Sequence, residues 1–559
     1  MQLDKIILSN FRCFNEGPTT VELDSDLTCL VGNNGSGKTA LILALQRLFG
    51  GTRAERTIVR EDFHLAPEED YNSDKVQGRK LFIEVIFSFP ELASNDINES
   101  SKLCPGFYSE FYADYEKILR MRMRLEATWN KEEYNDDVDY TLYWVTTPEQ
   151  VEFGVGGENN KHAMPSRDRK KIDLIHIPAV RDVKGALNNT LKELKKILEV
   201  YSDVSADNQK EIENISNELS NKFRELESIK STTKLLQDIW QGTYDPTLRH
   251  YQQLKLETAS TDLSKIIRSI AIKLSPSENG ESKDLQELSD GQISLLHFTL
   301  AIFIYEMRHK LDTGDMEGFK DFKVVNPVFT IFAFEEPENH LSPYYLSRVL
   351  RILNSKVTTN KATGIVTSHS PSVVRFVDKV EQIRYFSQEN NESERHSIVK
   401  QIILPSKENT ENMDEEYKYI NQAVLAHPEL YFSKMVILGE GASEEIIIPK
   451  LASVFDLSLD PSFVAFVKLG GRHVNHMWRL LNDLGIPYVT LVDLDLGRNQ
   501  GGIERIKYII KELKKHNNST AYDAIYNKVN NTNLSADEIQ VCARELEKDG
   551  GVLFLSFRS

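Results

Sequence analysis

The segment Gly32-Asn33-Asn34-Gly35-Ser36-Gly37-Lys38-Thr39 has the spacing G-x-x-x-x-G-K-[ST]. An apolar run, Leu27 to Val31, precedes it, and helically spaced apolar residues, Ala40 to Phe49, follow. Such a loop curls its backbone N–H groups around phosphates. Lys38 adds a point charge for the terminal phosphates, and the Thr39 hydroxyl suits Mg²⁺. A second set of candidates is acidic. Val436-Ile-Leu-Gly-Glu440-Gly-Ala-Ser-Glu444 puts Glu440 at the exit of a strand and Glu444 in the first turn of a helix. Leu491-Val-Asp493-Leu-Asp495 ends another strand, where alternation points both aspartates to one side. Four carboxylates at the carboxyl ends of parallel strands repel one another unless cations neutralise them. Oxygen donors select Mg²⁺ or Mn²⁺, with Ca²⁺ a further candidate, and two ions about 4 Å apart can activate water and stabilise a phosphodiester leaving group.

Three further motifs sharpen the nucleotide class. Leu288-Ser-Asp-Gly-Gln292 resembles the signature of ATP-binding-cassette (ABC) ATPases, Thr330-Ile-Phe-Ala-Phe-Glu-Glu-Pro-Glu338 a Walker B strand, and Thr367-Ser-His369 a switch histidine. This resemblance implies ATP as the nucleotide. Glu335 then reaches the Mg²⁺ shell through water, Glu336 orients and deprotonates the attacking water, and His369 contacts the γ-phosphate. The cassette pattern has Asp at the position of Glu335, a departure at the metal. In such ATPases one subunit's signature caps the nucleotide of the other, so Ser289 and Gly291 are expected to act in trans, and a homodimer is the minimum assembly. Asn10-Phe-Arg12 with Phe14 resembles the opening of SMC-like and RecF-like ATPases, where the Arg approaches the nucleotide.

The elements that must position these residues follow from periodicity. Leu81 to Phe89, the region of Tyr140 to Val145, Val328 to Phe334 and Thr363 to Thr367 read as strands, and residues 154–160 as a Gly/Asn-rich turn. Ile212, Ile215, Leu219, Phe223 and Leu226 recur at steps of three and four, which reads as long amphipathic helices. Periodicity leaves open whether these form an arm or pack within one core. A charged stretch over 388–416 marks a boundary, beyond which Met435–Leu438, Phe463–Lys468 and Tyr488–Val492 read as strands around a helix from about 443.

Strand-Glu-Gly followed by strand-Asp-x-Asp resembles the TOPRIM domain of topoisomerases, primases and certain nucleases. An SMC-like ATPase with a helical insertion and then a TOPRIM domain resembles the overcoming-lysogenisation-defect (OLD) family of ATP-dependent endonucleases. Glu335-Glu-Pro-Glu338 is similar to that family's Walker B variant, and Ile177-Pro-Ala-Val-Arg181 to its segment ahead of the helices. The implied fold is α/β: an ABC/SMC-like head (1–183 and 273–415) with an inserted helical dimerisation module (184–272), followed by a Rossmann-like TOPRIM domain (416–559). The implied activity is metal-dependent DNA cleavage in bacterial anti-phage defence, with Glu336, Glu440, Asp493 and Asp495 catalytic and Thr39, Glu335, Glu440, Glu444, Asp493 and Asp495 on metal. Family members act alone or beside a helicase-like or retron partner. Family nucleases continue past the Asp-x-Asp strand with further acidic and basic residues, whereas this chain stops at Ser559 after the apolar run Gly551 to Phe557.

Composition bounds these readings. The chain has 559 residues and a net charge of −17, from 67 Lys and Arg against 84 Asp and Glu, so long-range electrostatics repel a polyphosphate and DNA must be held locally. Two basic clusters offer that: Lys161, His162, Arg167, Arg169, Lys170 and Lys171, and then Arg498, Arg505, Lys507, Lys511, Lys514 and Lys515. No stretch reaches the roughly 18 apolar residues of a membrane span, and a cytoplasmic protein is expected. Cys13, Cys29, Cys104 and Cys542 form no CxxC pair, which argues against a zinc ribbon and so against a primase. A topoisomerase needs a nucleophilic tyrosine, and no motif marks one of the 21 tyrosines. The alternative that survives is a DNA-binding or scaffolding ATPase with an inert carboxylate site.

Overall fold

The structure is a computed structural model. It describes residues 1–71, 77–90, 110–131, 136–154, 160–179, 183–234, 263–275, 283–320, 327–339, 341–357, 361–390, 395–402, 425–468, 474–496, 501–516, 521–531, 534–550 and 552–555. Cys104, most of the turn at 154–160, Arg181 and Arg498 lie outside the described residues, as does the side chain of Lys515. The chain divides into two compact units, Met1–His176 with Val328–Ser559, and Ile177–Pro327.

The first unit holds three sheets. One is antiparallel, built on β1 (Gln2–Ser9), β2 (Thr19–Glu22), β4 (Arg79–Ser88), β5 (Tyr112–Ala113), β6 (Leu119–Lys131), β7 (Asp136–Val145) and β8 (Lys161–Ala163), in the order β2-β1-β4-β6-β7-β8 with β5 beside β6. The second comprises β3 (Leu27–Val31), β9 (Ile172–Ile177), β10 (Phe329–Glu335), β11 (Ala362–Ser368), β12 (Ile383–Asn390) and β13 (Arg395–Gln401), in the order β13-β12-β3-β11-β10-β9. Every residue of β3, β10 and β11 is buried. Their continuous apolar runs, LTCLV, FTIFAFE and ATGIVTS, suit parallel strands covered on both faces. Helix α1 (Lys38–Phe49) buries Leu41, Ile42, Ala44, Leu45 and Leu48 in the core between these sheets, where Phe87 meets Phe329 edge-on at 5.7 Å.

One residue of the first basic cluster, Lys161, is internal rather than solvent-facing. Lys161, 1% exposed, is bonded to Glu126 at 2.7 and 2.8 Å, and Glu126 also binds Arg124, which with Arg122 flanks Glu84. A buried charge persists only when paired, so Lys161 belongs to this network and not to a DNA-binding face.

The third sheet has β14 (Met435–Gly439), β15 (Val464–Lys468), β16 (Tyr488–Asp493) and β17 (Val552–Leu555), all parallel, in the order β15-β14-β16-β17. In the second unit, α2 (Val183–Tyr201), α3 (Ala206–Glu225) and α4 (Asp290–Thr313) are long helices, and Leu187, Leu191, Leu288, Ile293 and Leu300 form its core. The stripe read on α3 leaves Ile215 and Leu219 exposed.

Candidate nucleotide and carboxylate sites

The loop between β3 and α1 holds its shape through three glycines with positive φ, Gly32 (149°), Gly35 (80°) and Gly37 (105°). A Cβ at Gly32 would lie 2.2 Å from the Phe386 carbonyl oxygen, and one at Gly37 2.8 Å from Ser397 Oγ and 2.9 Å from Cys13 Sγ. Only glycine tolerates both the conformation and the contact. Lys38 is folded onto its own loop, where Nζ donates to the carbonyls of Gly32 at 2.7 Å and Asn33 at 2.9 Å. Burial lowers its pKa, and the charges of Glu336 and Glu338 oppose that shift. Ser36 Oγ is buried without a hydrogen-bond partner among the described residues, whereas Asn34, Gly35 and Thr39 face solvent. An inward hydroxyl, a lysine held at the loop mouth and an exposed threonine at the helix start fit a bound nucleoside triphosphate and its Mg²⁺.

The acids of β10 close on this loop. Glu335 ends the strand, 8% exposed, with Oε1 3.6 Å from Nε2 of His176 on β9. Glu336 follows in a left-handed conformation, φ 42°, and its N–H donates to the Thr367 carbonyl at 3.0 Å. Its carboxylate accepts from Asn339 Nδ2 at 2.9 Å and lies 3.2 Å from His369 Nδ1. Non-glycine residues held in that region cost about 1–3 kcal/mol and tend to mark functional turns. Glu338, given no role by the sequence, accepts from Ser368 Oγ at 2.6 Å and the His369 backbone N–H at 3.0 Å, and so fixes the switch segment. Gln388 on β12 was also missed: its Nε2 donates to the Gly35 carbonyl at 2.7 Å, and Arg395 holds its Oε1 at 2.8 Å. Arg12 reaches Asp62, which is fully buried and shared with Arg47.

In the second unit, Ser289 caps α4: its Oγ accepts from the Gln292 N–H at 3.4 Å and Gln292 Oε1 accepts the Ser289 N–H at 3.1 Å. Ser289 is exposed and Gly291 lies in the first helical turn, so this helix start faces solvent.

The carboxylates of the third sheet come together only in part. Strands β14 and β16 are parallel neighbours, and the Asp493 N–H at the end of β16 donates to Glu440 Oε1 at 3.3 Å. The guanidinium of Arg505, on α9 (Ile503–His516) and assigned by sequence to a basic face, pairs with that same Glu440 oxygen. Burial raises the Glu440 pKa, Arg505 opposes this, and Asp493 adds to it. Glu444, in the first turn of α7 (Ala442–Val454), turns back so that Oε2 accepts the Gly441 N–H at 2.8 Å. Asp495 is not part of the strand alternation. Strand β16 stops at Asp493, and Asp495 follows with φ 44° in a loop closed by the Gly502 N–H to the Leu494 carbonyl at 2.7 Å. Among the described residues no three His, Cys, Asp or Glu side chains form a group able to hold a metal ion. The donors suit Mg²⁺ or Mn²⁺ in kind, while in this arrangement Arg505 supplies the positive charge.

A phosphate loop joined to a two-acid strand end and a switch histidine, followed by a parallel sheet with acids at its carboxyl ends, defines an ATPase coupled to a TOPRIM domain. Comparison with known proteins agrees. Residues 1–374 match the AAA ATPase domain family, and residues 431–495 match the overcoming lysogenization defect protein-like TOPRIM domain. The chain belongs to the AAA ATPase domain family and carries an OLD-like TOPRIM domain behind that ATPase region. Among its relatives, endonuclease GajA of Bacillus cereus (strain VD045) is 23% identical over 519 residues, covering 90% of this chain and 76% of the relative. The OLD nuclease of Thermus scotoductus is 22% identical over 511 residues, covering 88% and 82%, and the Old nuclease of Escherichia phage P2 is 22% identical over 514 residues, covering 89% and 78%. Among solved structures, an SMC head bound to the C-terminal winged-helix domain of ScpA covers 72% of this chain and 98% of its own, at 12% identity and a TM-score of 0.38. Among the described residues no helix is long and apolar enough to cross a membrane.

Proposed function

We propose that this chain is an ATP-regulated, divalent-metal-dependent DNA endonuclease, acting in bacterial anti-phage defence as at least a homodimer; the names of the GajA and OLD relatives, endonuclease and nuclease, support the cleavage part of this reading. The observation that carries the ATP-regulated reading is the contact of one strand with both the phosphate loop and the TOPRIM domain. On β13, Ser397 lies against Gly37 of the phosphate loop, and Lys400 three residues later lies against Gly485, where a Cβ would meet its Nζ at 2.0 Å. Gly485 follows α8 (Val474–Leu484) of the TOPRIM domain, and α8 packs on β13. A second link starts beside His369: Ser370 caps the short helix α6 (Pro371–Val374), which packs on the turn Pro428–Phe432 at the TOPRIM entrance. There Tyr431, fully buried, packs on Tyr385 at 6.0 Å. Occupancy of the phosphate loop therefore has two packed routes to the carboxylate sheet.

In the ATP site, Asn33 to Thr39 hold the triphosphate, Thr39 and Glu335 hold Mg²⁺, Glu336 accepts a proton from water at its carboxylate, and His369 steadies Glu336. Ser289 and Gly291 present an exposed helix start to a nucleotide held by a second copy. In the TOPRIM domain, Glu440, Asp493, Glu444 and Asp495 are the candidate ligands for Mg²⁺ or Mn²⁺. A bound cation there would supply Lewis acidity for phosphodiester hydrolysis. Exposed Lys511 on α9, with Lys507 half-buried beside it, offers backbone contacts to a DNA strand without a sequence code. The test is supercoiled-plasmid nicking with Mg²⁺ or Mn²⁺: Asp493→Ala and Asp495→Ala abolish cleavage, and Lys38→Ala abolishes only its response to ATP. Undiminished nicking by both aspartate variants removes the assignment. One observation, the Arg505 partner on Glu440, favours a second reading, a DNA-binding ATPase with an inert TOPRIM domain. That reading predicts nucleotide-dependent DNA retention with no metal-dependent cleavage by the unaltered protein.

A further inference from the structure

We infer that His176 is a positioning residue for the Walker B carboxylate Glu335, and through it for the metal shell of ATP hydrolysis. The inference rests on the ATP site and not on the nuclease reading.

His176 lies one residue before the end of β9, the edge strand beside β10, in the space between β10 and α1. On one side, Gln46 Nε2 of α1 lies 2.6 Å from His176 Nδ1. A primary amide nitrogen donates and does not accept, so Nδ1 is the acceptor and the proton of the neutral ring is on Nε2. On the other side, Nε2 faces Glu335 Oε1 at 3.6 Å, and it has no hydrogen-bond partner among the described residues. A buried N–H is thus aimed at the carboxylate, a few tenths of an ångström beyond a normal hydrogen bond.

The cassette pattern explains why such a donor is needed. Where other ATPases have Asp, Glu335 has one methylene and one torsion more, and its carboxylate can take more positions. His176 narrows these from the neighbouring strand. Gln46 in turn fixes the ring from the helix whose first turn holds the phosphates, so the chain α1, Gln46, His176, Glu335 ties the phosphate loop to the metal acid. Outer partners of this kind orient the groups that hold a metal.

The test uses the full chain with Glu336→Gln to stop turnover, and measures Mn²⁺ binding by electron paramagnetic resonance in the presence of ATP. A fluorescent ATP analogue reports nucleotide binding with and without metal. His176→Ala is expected to raise the half-saturating Mn²⁺ about tenfold, the low end of outer-partner effects, with metal-free nucleotide binding within about twofold of the parent. His176→Gln, which restores a side-chain N–H, should recover most of the loss. With Glu335→Asp, where the extra torsion is absent, the effect of His176→Ala should fall below about threefold. Unchanged Mn²⁺ binding in His176→Ala with a lowered melting temperature means that the histidine only packs, and overturns the inference. So does an undiminished effect in the Glu335→Asp background. If His176→Ala does not fold, His176→Gln and His176→Asn decide: Mn²⁺ binding near the parent value for Gln and impaired for Asn supports positioning, and equal values overturn it.

Discussion

Glu338→Ala should uncouple the switch histidine from the Walker B strand while leaving the hydrogen bonds of the phosphate loop in place. Glu338 Oε1 receives two hydrogen bonds, from Ser368 Oγ at 2.6 Å and the His369 N–H at 3.0 Å, and Ser368 is fully buried. A hydrogen bond to a charged acceptor contributes about 1.5–3 kcal/mol. The two bonds share one oxygen and one short segment, so about 3 kcal/mol is the working figure for the pair. His369 Nδ1 lies 3.2 Å from Glu336, the proposed proton acceptor. If about half of that energy is felt in the transition state, the barrier rises by about 1.4 kcal/mol and kcat falls about tenfold. Steady-state ATP hydrolysis at saturating Mg²⁺ measures this, with fluorescence titration of nucleotide affinity alongside. The KM for ATP should stay within about twofold, since the loss is confined to the transition state. Glu338→Gln keeps an acceptor oxygen and should lose only about threefold. A Glu338→Ala kcat within about twofold of the parent, with His369→Ala strongly impaired, would refute the reasoning.

Two further outcomes follow from single contacts. Gln388→Ala removes the bond to the Gly35 carbonyl and the anchor of Arg395; one neutral hydrogen bond of about 1 kcal/mol implies a KM for ATP about fivefold higher with kcat little changed, read in the same assay. The hydrogen-bonded guanidinium of Arg79 holds the Glu69 carboxyl down at about 2, from an ordinary 4.5. A depressed carboxylate stabilises the fold above its unfolded pKa, and that contribution disappears as pH falls from about 4.5 to about 2. The melting temperatures of the parent and Glu69→Gln should therefore differ most near neutrality and converge across that window; a constant gap removes Glu69 as the cause.

What could be read from the sequence was local. The phosphate loop, the strand ending in Glu335 and the Met435–Gly439 strand each carry their signal within a few adjacent residues, because backbone geometry and burial are set there. Strand β16 was legible up to Asp493, but its end was not. The alternation that placed Asp495 beside Asp493 fails where the backbone turns to φ 44°, and no residue type announced that turn. His176, Gln388 and Glu338 escaped a functional assignment, and Arg505 received a different one, for another reason. Each acts through a partner brought near by folding, and an arginine on an amphipathic helix reads as surface until Glu440 is found beside it. The helix cap at Ser289 was legible as a motif, while the nucleotide it is proposed to face would belong to an assembly that one chain does not contain.

The central position of β3 has a consequence for how the molecule is made. Its neighbours in the sheet are β11 and β12, and the Gly35 carbonyl meets its Gln388 partner 353 residues downstream. Loop closure over that length is entropically expensive, and domains dominated by such distant contacts form slowly. During synthesis the apolar LTCLV segment must wait, unpaired on both edges, until most of the polypeptide has left the ribosome. An amino-terminal fragment ending before β11 would carry the whole phosphate motif and still bind no nucleotide.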